Sequence, residues 1–134
     1  MNIRQILLAA VLVLCGAAAS AMNDFTEAEQ VLDQYFQGLA SGDTTLIQKM
    51  LAGELLHERG DLLAVAGYDT MLRERYNGAR FDIRSFEATD DDAVIANVDI
   101  TFASNHAMSV SFVLRKQLPS AGAATAYRIV SESP

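Results

Sequence analysis

Three consecutive side chains, His57-Glu58-Arg59, bring an imidazole, a carboxylate and a guanidinium into one stretch of chain. Such a trio suits proton transfer. A histidine titrates near neutrality and serves as a general base, and an arginine holds the anion that a dehydration or a cyclisation builds up. If Leu55 to Arg59 is a strand, His57 and Arg59 share one face and Glu58 takes the other. Tyr35 and Tyr76 are the further candidates, each offering a ring to line a cavity and a hydroxyl to donate. The plain alternative is an exposed His57 beside a turn at Gly60-Asp61, and a Tyr35 that is a core aromatic with its hydroxyl satisfied.

Other chemistry finds little support. Asp90-Asp91-Asp92 lacks the alternating ligands and the acidic twelfth residue of a calcium loop, so it reads as a solvated hairpin turn. His106, beside Asn105, reads as turn or surface. Ser109 and Ser111 stand in no G-x-S-x-G context, and no glycine-rich phosphate loop is present. With two distant histidines and one cysteine, neither a metal site nor a cofactor is expected.

The elements that must position these residues change period midway along the chain. Thr26-Glu27-Ala28-Glu29 reads as a capping box with Thr26 as N-cap. Ala28, Val31, Leu32, Tyr35, Phe36 and Leu39 follow at helical spacing, predicting a helix from about Glu27 to Ala40. Gly42 stops it, and Asp43 caps a second, shorter helix whose buried side is Leu46, Ile47, Met50 and Leu51. Residues 54–66 fit either short strands about a turn or a helical continuation. Tyr68, Met71, Leu72 and Tyr76 then mark a third helix, closed by Asn77-Gly78.

From Phe81 the spacing becomes two. Val94, Ala96, Val98, Ile100 and Phe102 form one face, and Met108, Val110, Phe112 and Leu114 another. Leu118 to Ala123 reads as a loop and Thr125 to Ser131 as the last strand. The result is an α+β domain with three N-terminal helices covering a curved antiparallel sheet of four to six strands. Ile95, Asn97, Thr101, Ala103, Ser109, Ser111 and Val113 give the outer sheet face a small, weakly charged surface. Such a surface suits a homodimer through the sheet, with cover by the C-terminal segment as the alternative.

Two stretches carry a family resemblance. The run from Gln34 to Asp43, with Tyr35, Leu39 and Gly42-Asp43, resembles the end of the first helix in the NTF2-like superfamily. Gly67 to Tyr76 resembles that superfamily's third helix, and the strand meander follows in the same order. The resemblance covers roughly residues 25–132. It implies a cone-shaped cavity between helices and sheet, as in SnoaL-like cyclases, ketosteroid isomerases and many binding domains. Isomerase chemistry needs a carboxylate base and two oxyanion donors, a tyrosine and a protonated aspartate. The resemblance places the tyrosine at Tyr35 and the base position at Arg59, with Glu58 beside it. The late stretch Val110 to Leu114 holds no carboxylate. With the set incomplete, the expected function is non-catalytic binding of a small apolar ligand or a protein partner through Tyr35, His57, Arg59 and Tyr76. A cavity enzyme of isomerase, dehydratase or cyclase type, using Tyr35, His57 and Glu58, is the alternative.

Export fits the N-terminus. Arg4, the apolar run Ile6 to Leu14 and Ala19-Ser20-Ala21 form the pattern of a secretory signal, so residues 1–21 are expected to be cleaved and 22–134 to form one domain. The apolar run is short for a membrane span. The expected location is periplasmic or secreted, in soluble form. Lipid anchoring at Cys15 is a minor alternative, because Leu14 is bulky for the residue before a lipidated cysteine. Cleavage leaves 113 of the 134 residues, removes the lone cysteine and, with Arg4 gone, takes the net charge from -7 to -8. That excludes disulfides and thiolate catalysis, and it disfavours nucleic acid, whose phosphates call for a basic surface.

Overall fold

The computed structural model describes residues 17–117 and 126–134, with side chains from Asn23 onward. Residues 1–16, including Cys15, and the loop expected at Leu118 to Ala123 lie outside them. Four helices precede four strands: α1 (Ala17–Ser41), α2 (Thr44–Met50), α3 (Gly53–Leu63), α4 (Tyr68–Tyr76), β1 (Arg80–Ala88), β2 (Ala93–Thr101), β3 (Ala107–Gln117) and β4 (Ala126–Ser133). The strands form one antiparallel meander in the order β1-β2-β3-β4. The architecture is therefore α+β, but with four helices where the sequence predicts three.

The difference lies at residues 53–63, where the helical alternative holds: α3 stands in place of a strand at Leu55 to Arg59. Leu55, Arg59 and Leu63 are spaced by four, which builds one helical stripe, and both leucines are buried. The same fold corrects the shared face of His57 and Arg59. Two residues apart on a helix point roughly 200° apart, so His57 is turned away from Arg59 and is exposed, as is Glu58.

The helix α1 also starts earlier than predicted, and Thr26 lies inside it rather than at its N-cap. Ala17 to Met22 is rich in strong helix formers. The turn before Thr26 is held against the sheet: the Asp24 carboxylate pairs with Lys116 at 3.4 Å, and the Phe25 ring stacks on Phe86 at 5.4 Å. The predicted stripe Ala28, Val31, Leu32, Tyr35, Phe36 and Leu39 is buried throughout. Gly42 ends the helix with φ +70°, and the Asp43 carboxylate accepts from the Leu46 N–H at 3.1 Å to start α2.

Alternation in β2 and β3 holds as predicted. Val94, Ala96, Val98 and Ile100 face the helices opposite Leu114, Phe112, Val110 and Met108. The strand β2 ends at Thr101, so Phe102 and Ala103 belong to the following turn. Two bulges break the alternation elsewhere. Arg84 is an extra residue in β1, and Val130 is one in β4. The strand β4 is further tied to the helical layer where Leu51 bridges Ile129 and the Ala52 N–H donates to the Ile129 carbonyl at 2.9 Å.

The outer face carries a polar ladder. Ser111 Oγ donates to Asn97 Oδ1 at 2.7 Å, Asn97 Nδ2 donates to Ser85 Oγ at 3.0 Å, and Ser109 Oγ donates to Asp99 Oδ1 at 2.8 Å. At the β1–β2 turn, Asp91 is engaged by Thr89 and by Arg115 at 2.7 Å, and these two bonds hold its carboxyl below the usual aspartate value. Among the described residues, no helix is long and apolar enough to cross a membrane.

Candidate functional site

The stripe of α3 delivers Arg59 to the place where α1 and β4 meet. There its guanidinium Nη1 donates to the Tyr35 hydroxyl at 3.0 Å and to Glu132 Oε2 at 3.1 Å. The Tyr35 hydroxyl donates to the same Glu132 oxygen at 2.9 Å. Three side chains from three elements thus close a triangle of charge-assisted hydrogen bonds.

Packing fixes each corner. The Tyr35 ring is 1% exposed and meets Phe112 edge-on at 5.8 Å, with Phe36 at 6.1 Å. Beneath it, Phe36 also stacks on Phe81 at 4.4 Å. Glu132 owes its position to the bulge. Tyr127 and Ile129 face the core, so strict alternation would send Ser131 inward and Glu132 outward. The extra Val130 reverses the parity and sets Glu132 opposite Phe112 on the inner side.

Burial and the Glu132 charge together push the Tyr35 phenol well above the ordinary tyrosine value. The phenol is therefore a fixed donor rather than an acid. Burial opposes the charge of Arg59, but the hydrogen bond and charge of Glu132 outweigh it and raise its pKa further. A guanidinium so placed is a permanent cation, unsuited to proton transfer.

Above the triangle lies an open pocket of about 650 Å³ between α1, α3, α4 and β4. Arg59 and Glu132 form its polar floor, and Tyr35 sits behind them outside the lining. Leu39, Tyr68, Met71, Leu72 and Tyr76 supply an apolar wall, and Glu74 and Arg75, on the same helix as Tyr76, also line the pocket. Tyr76 is braced against Phe81 at 5.9 Å, and the Arg75 guanidinium lies 5.0 Å from the Phe102 ring and 5.7 Å from that of Tyr76. A hollow of about 520 Å³ on the outer sheet face is lined by Asn97 and Ser111, whose polar atoms already pair with each other.

Of the residues singled out from sequence, the fold brings Tyr35 and Arg59 into contact and places Tyr76 in the wall of the same pocket. It leaves His57 and Glu58 exposed and outside that lining. Glu132 and the α4 residues Tyr68, Met71 and Leu72 complete the pocket. The apolar spacing of α4 was visible in sequence, whereas nothing there betrays the bulge that turns Glu132 inward. Among the described residues no cluster of three or more His, Cys, Asp and Glu side chains is placed to hold a metal. Because His57 is exposed, His57→Ala is expected to change stability by less than about 0.5 kcal/mol in urea unfolding, and to leave ligand titrations of the pocket unaltered.

The chain matches no family model, and no curated protein or solved structure shows significant similarity to it.

Proposed function

We propose that this protein is an exported NTF2-like domain that binds a small, largely apolar molecule in the pocket above Arg59 and Glu132, without transforming it. The observation that carries this reading is the closed triangle. The carboxylate, the guanidinium and the phenol that an acid–base enzyme would use are bonded to one another, while the wall above them is apolar. The unfilled space lies between the helices and the edge of β4, beside a core packed with Tyr35, Phe36 and Phe112. In this reading the outer sheet face, with its self-satisfied ladder, is a surface for a second copy of the chain.

A cavity enzyme of isomerase or dehydratase type is the second reading, and one contact favours it: a carboxylate lies 2.9 Å from a buried phenol. Thermal-shift screening of the purified protein against small apolar compounds separates the two readings from no binding at all. Met71, 45% exposed at the pocket wall, gives the control. Met71→Trp fills the pocket and is expected to weaken every true ligand at least about tenfold while the unliganded melting temperature stays close to wild type. Ligands that stabilise wild type and Met71→Trp equally would remove this pocket from consideration. Turnover of a bound carbonyl compound, lost in Glu132→Gln, would move the reading to the enzyme.

A further inference from the structure

We infer that the pocket selects neutral molecules carrying a hydrogen-bond acceptor next to a donor, a primary carboxamide being the simplest, over carboxylates and ammonium compounds of the same shape. This inference rests on the pocket being a ligand site, and it adds the chemical class of the ligand.

The argument starts from the floor. Arg59 and Glu132 stand side by side, Nη1 to Oε2 at 3.1 Å, and both line the pocket. A guanidinium has five N–H groups, and a carboxylate has two oxygens. The bonds that close the triangle use Nη1 of the one and Oε2 of the other. Nε and Nη2 of Arg59, and Oε1 of Glu132, take no part in those bonds. Together they call for one acceptor and one donor held close together on the same group.

Charge then decides against ions. The four charged side chains of the lining are Arg59, Arg75, Glu74 and Glu132, two of each sign. An anion drawn to Arg59 comes to rest against Glu132, and a cation drawn to Glu132 comes to rest against Arg59. Either ion loses hydration on entry and meets a like charge at the contact. A neutral amide loses less hydration, and its carbonyl and N–H₂ match the two charges in order. Leu72, Tyr68 and Tyr76 then take the hydrocarbon part.

The test uses four probes built on one phenyl ring: benzamide, benzoate, benzylammonium and toluene, titrated into the purified protein and followed by amide chemical shifts in NMR. Benzamide is expected to bind at least tenfold more tightly than benzoate and than benzylammonium. Glu132→Gln keeps the shape of the floor and removes its negative charge, so benzoate should gain on benzamide by at least tenfold in that variant. A merely structural role for Glu132 would weaken all four probes alike. Benzoate or benzylammonium binding wild type as tightly as benzamide overturns the inference, and so does equal binding of all four, although toluene binding would leave the apolar site standing. No binding by any probe, toluene included, overturns both the inference and the pocket. The comparison within wild type needs no variant to fold.

Discussion

Arg59→Met is expected to destabilise the fold by about 3 kcal/mol, although it exchanges a charged residue for one of similar volume and good helix propensity. The cost comes from what is left behind. The Glu132 side chain is 21% exposed, and its only described ion pair is with Arg59, whose own side chain is 30% exposed. Removing one member of a buried pair strands the other charge, which typically costs about 3–5 kcal/mol, and the residual exposure puts this site at the lower end. Tyr35 would still donate to the carboxylate, but that charge-assisted bond is already present in wild type and offsets only part of the loss. A second substitution separates this account from simple loss of packing. Glu132→Leu removes the stranded charge, so Arg59→Met with Glu132→Leu is expected to recover most of the stability, leaving mainly the cost of an unpaired Tyr35 hydroxyl. Tyr35→Phe added as a third change should lower that remainder. Urea unfolding at constant m-value measures each step. A coupling of about 2 kcal/mol between positions 59 and 132 is the expected result. Purely additive effects, or an Arg59→Met within about 0.5 kcal/mol of wild type, would show that the triangle is incidental to the fold.

The same triangle shows where physical reading of the sequence succeeds and where it stops. The helix α1 and the strands β2 and β3 were legible because each buries one face over many residues, so a single period runs from Ala28 to Leu39 and from Val94 to Ile100. The stretch from Glu54 to Ala66 was not. Its leucines come as adjacent pairs, Leu55-Leu56 and Leu62-Leu63, which satisfy a period of two or of four equally well. Choosing the strand paired His57 with Arg59, whereas the helix pairs Arg59 with Leu55 and Leu63 and sends His57 to solvent. An arginine in the middle of an apolar stripe was the available signal, since such a residue needs a buried partner. The partner itself was hidden for a different reason. One inserted residue, Val130, reverses which side of β4 faces the core, and nothing in the local composition of Val130-Ser131-Glu132 announces it. The carboxylate that meets Tyr35 and Arg59 comes from β4, outside the stretch Val110 to Leu114.

Gly42 tests another part of the sequence reading, in which Gly42 stops the first helix and Asp43 caps the second. Capping needs only the left-handed backbone, and Gly42 has it, with φ +70°. The structure adds a close approach. A Cβ on Gly42 would run into the Asp69 carbonyl oxygen and lie 2.8 Å from the Arg73 Cγ, both on α4. The carbonyl belongs to helical backbone and cannot swing aside, so α4 would have to move off α1. Gly42→Ala is therefore expected to cost about 3 kcal/mol, roughly one from φ and two from the clash. Two other glycines isolate the terms. Gly67 has φ +86° with nothing within 4 Å of its notional Cβ, so Gly67→Ala should cost only the conformational part, about 1 kcal/mol. Gly60 lies within α3, has no such contact and an ordinary φ, so Gly60→Ala should stabilise by up to about 1 kcal/mol. Urea midpoints in the order Gly60→Ala, wild type, Gly67→Ala, Gly42→Ala from most to least stable are the expected outcome. Because α4 carries Tyr68, Met71, Leu72 and Tyr76, its displacement in Gly42→Ala should also weaken binding in the pocket, which Gly67→Ala should leave closer to wild type. Equal costs at positions 42 and 67 would mean that the glycine serves the turn alone and that the seating of α4, and with it the apolar wall above Arg59 and Glu132, is set elsewhere.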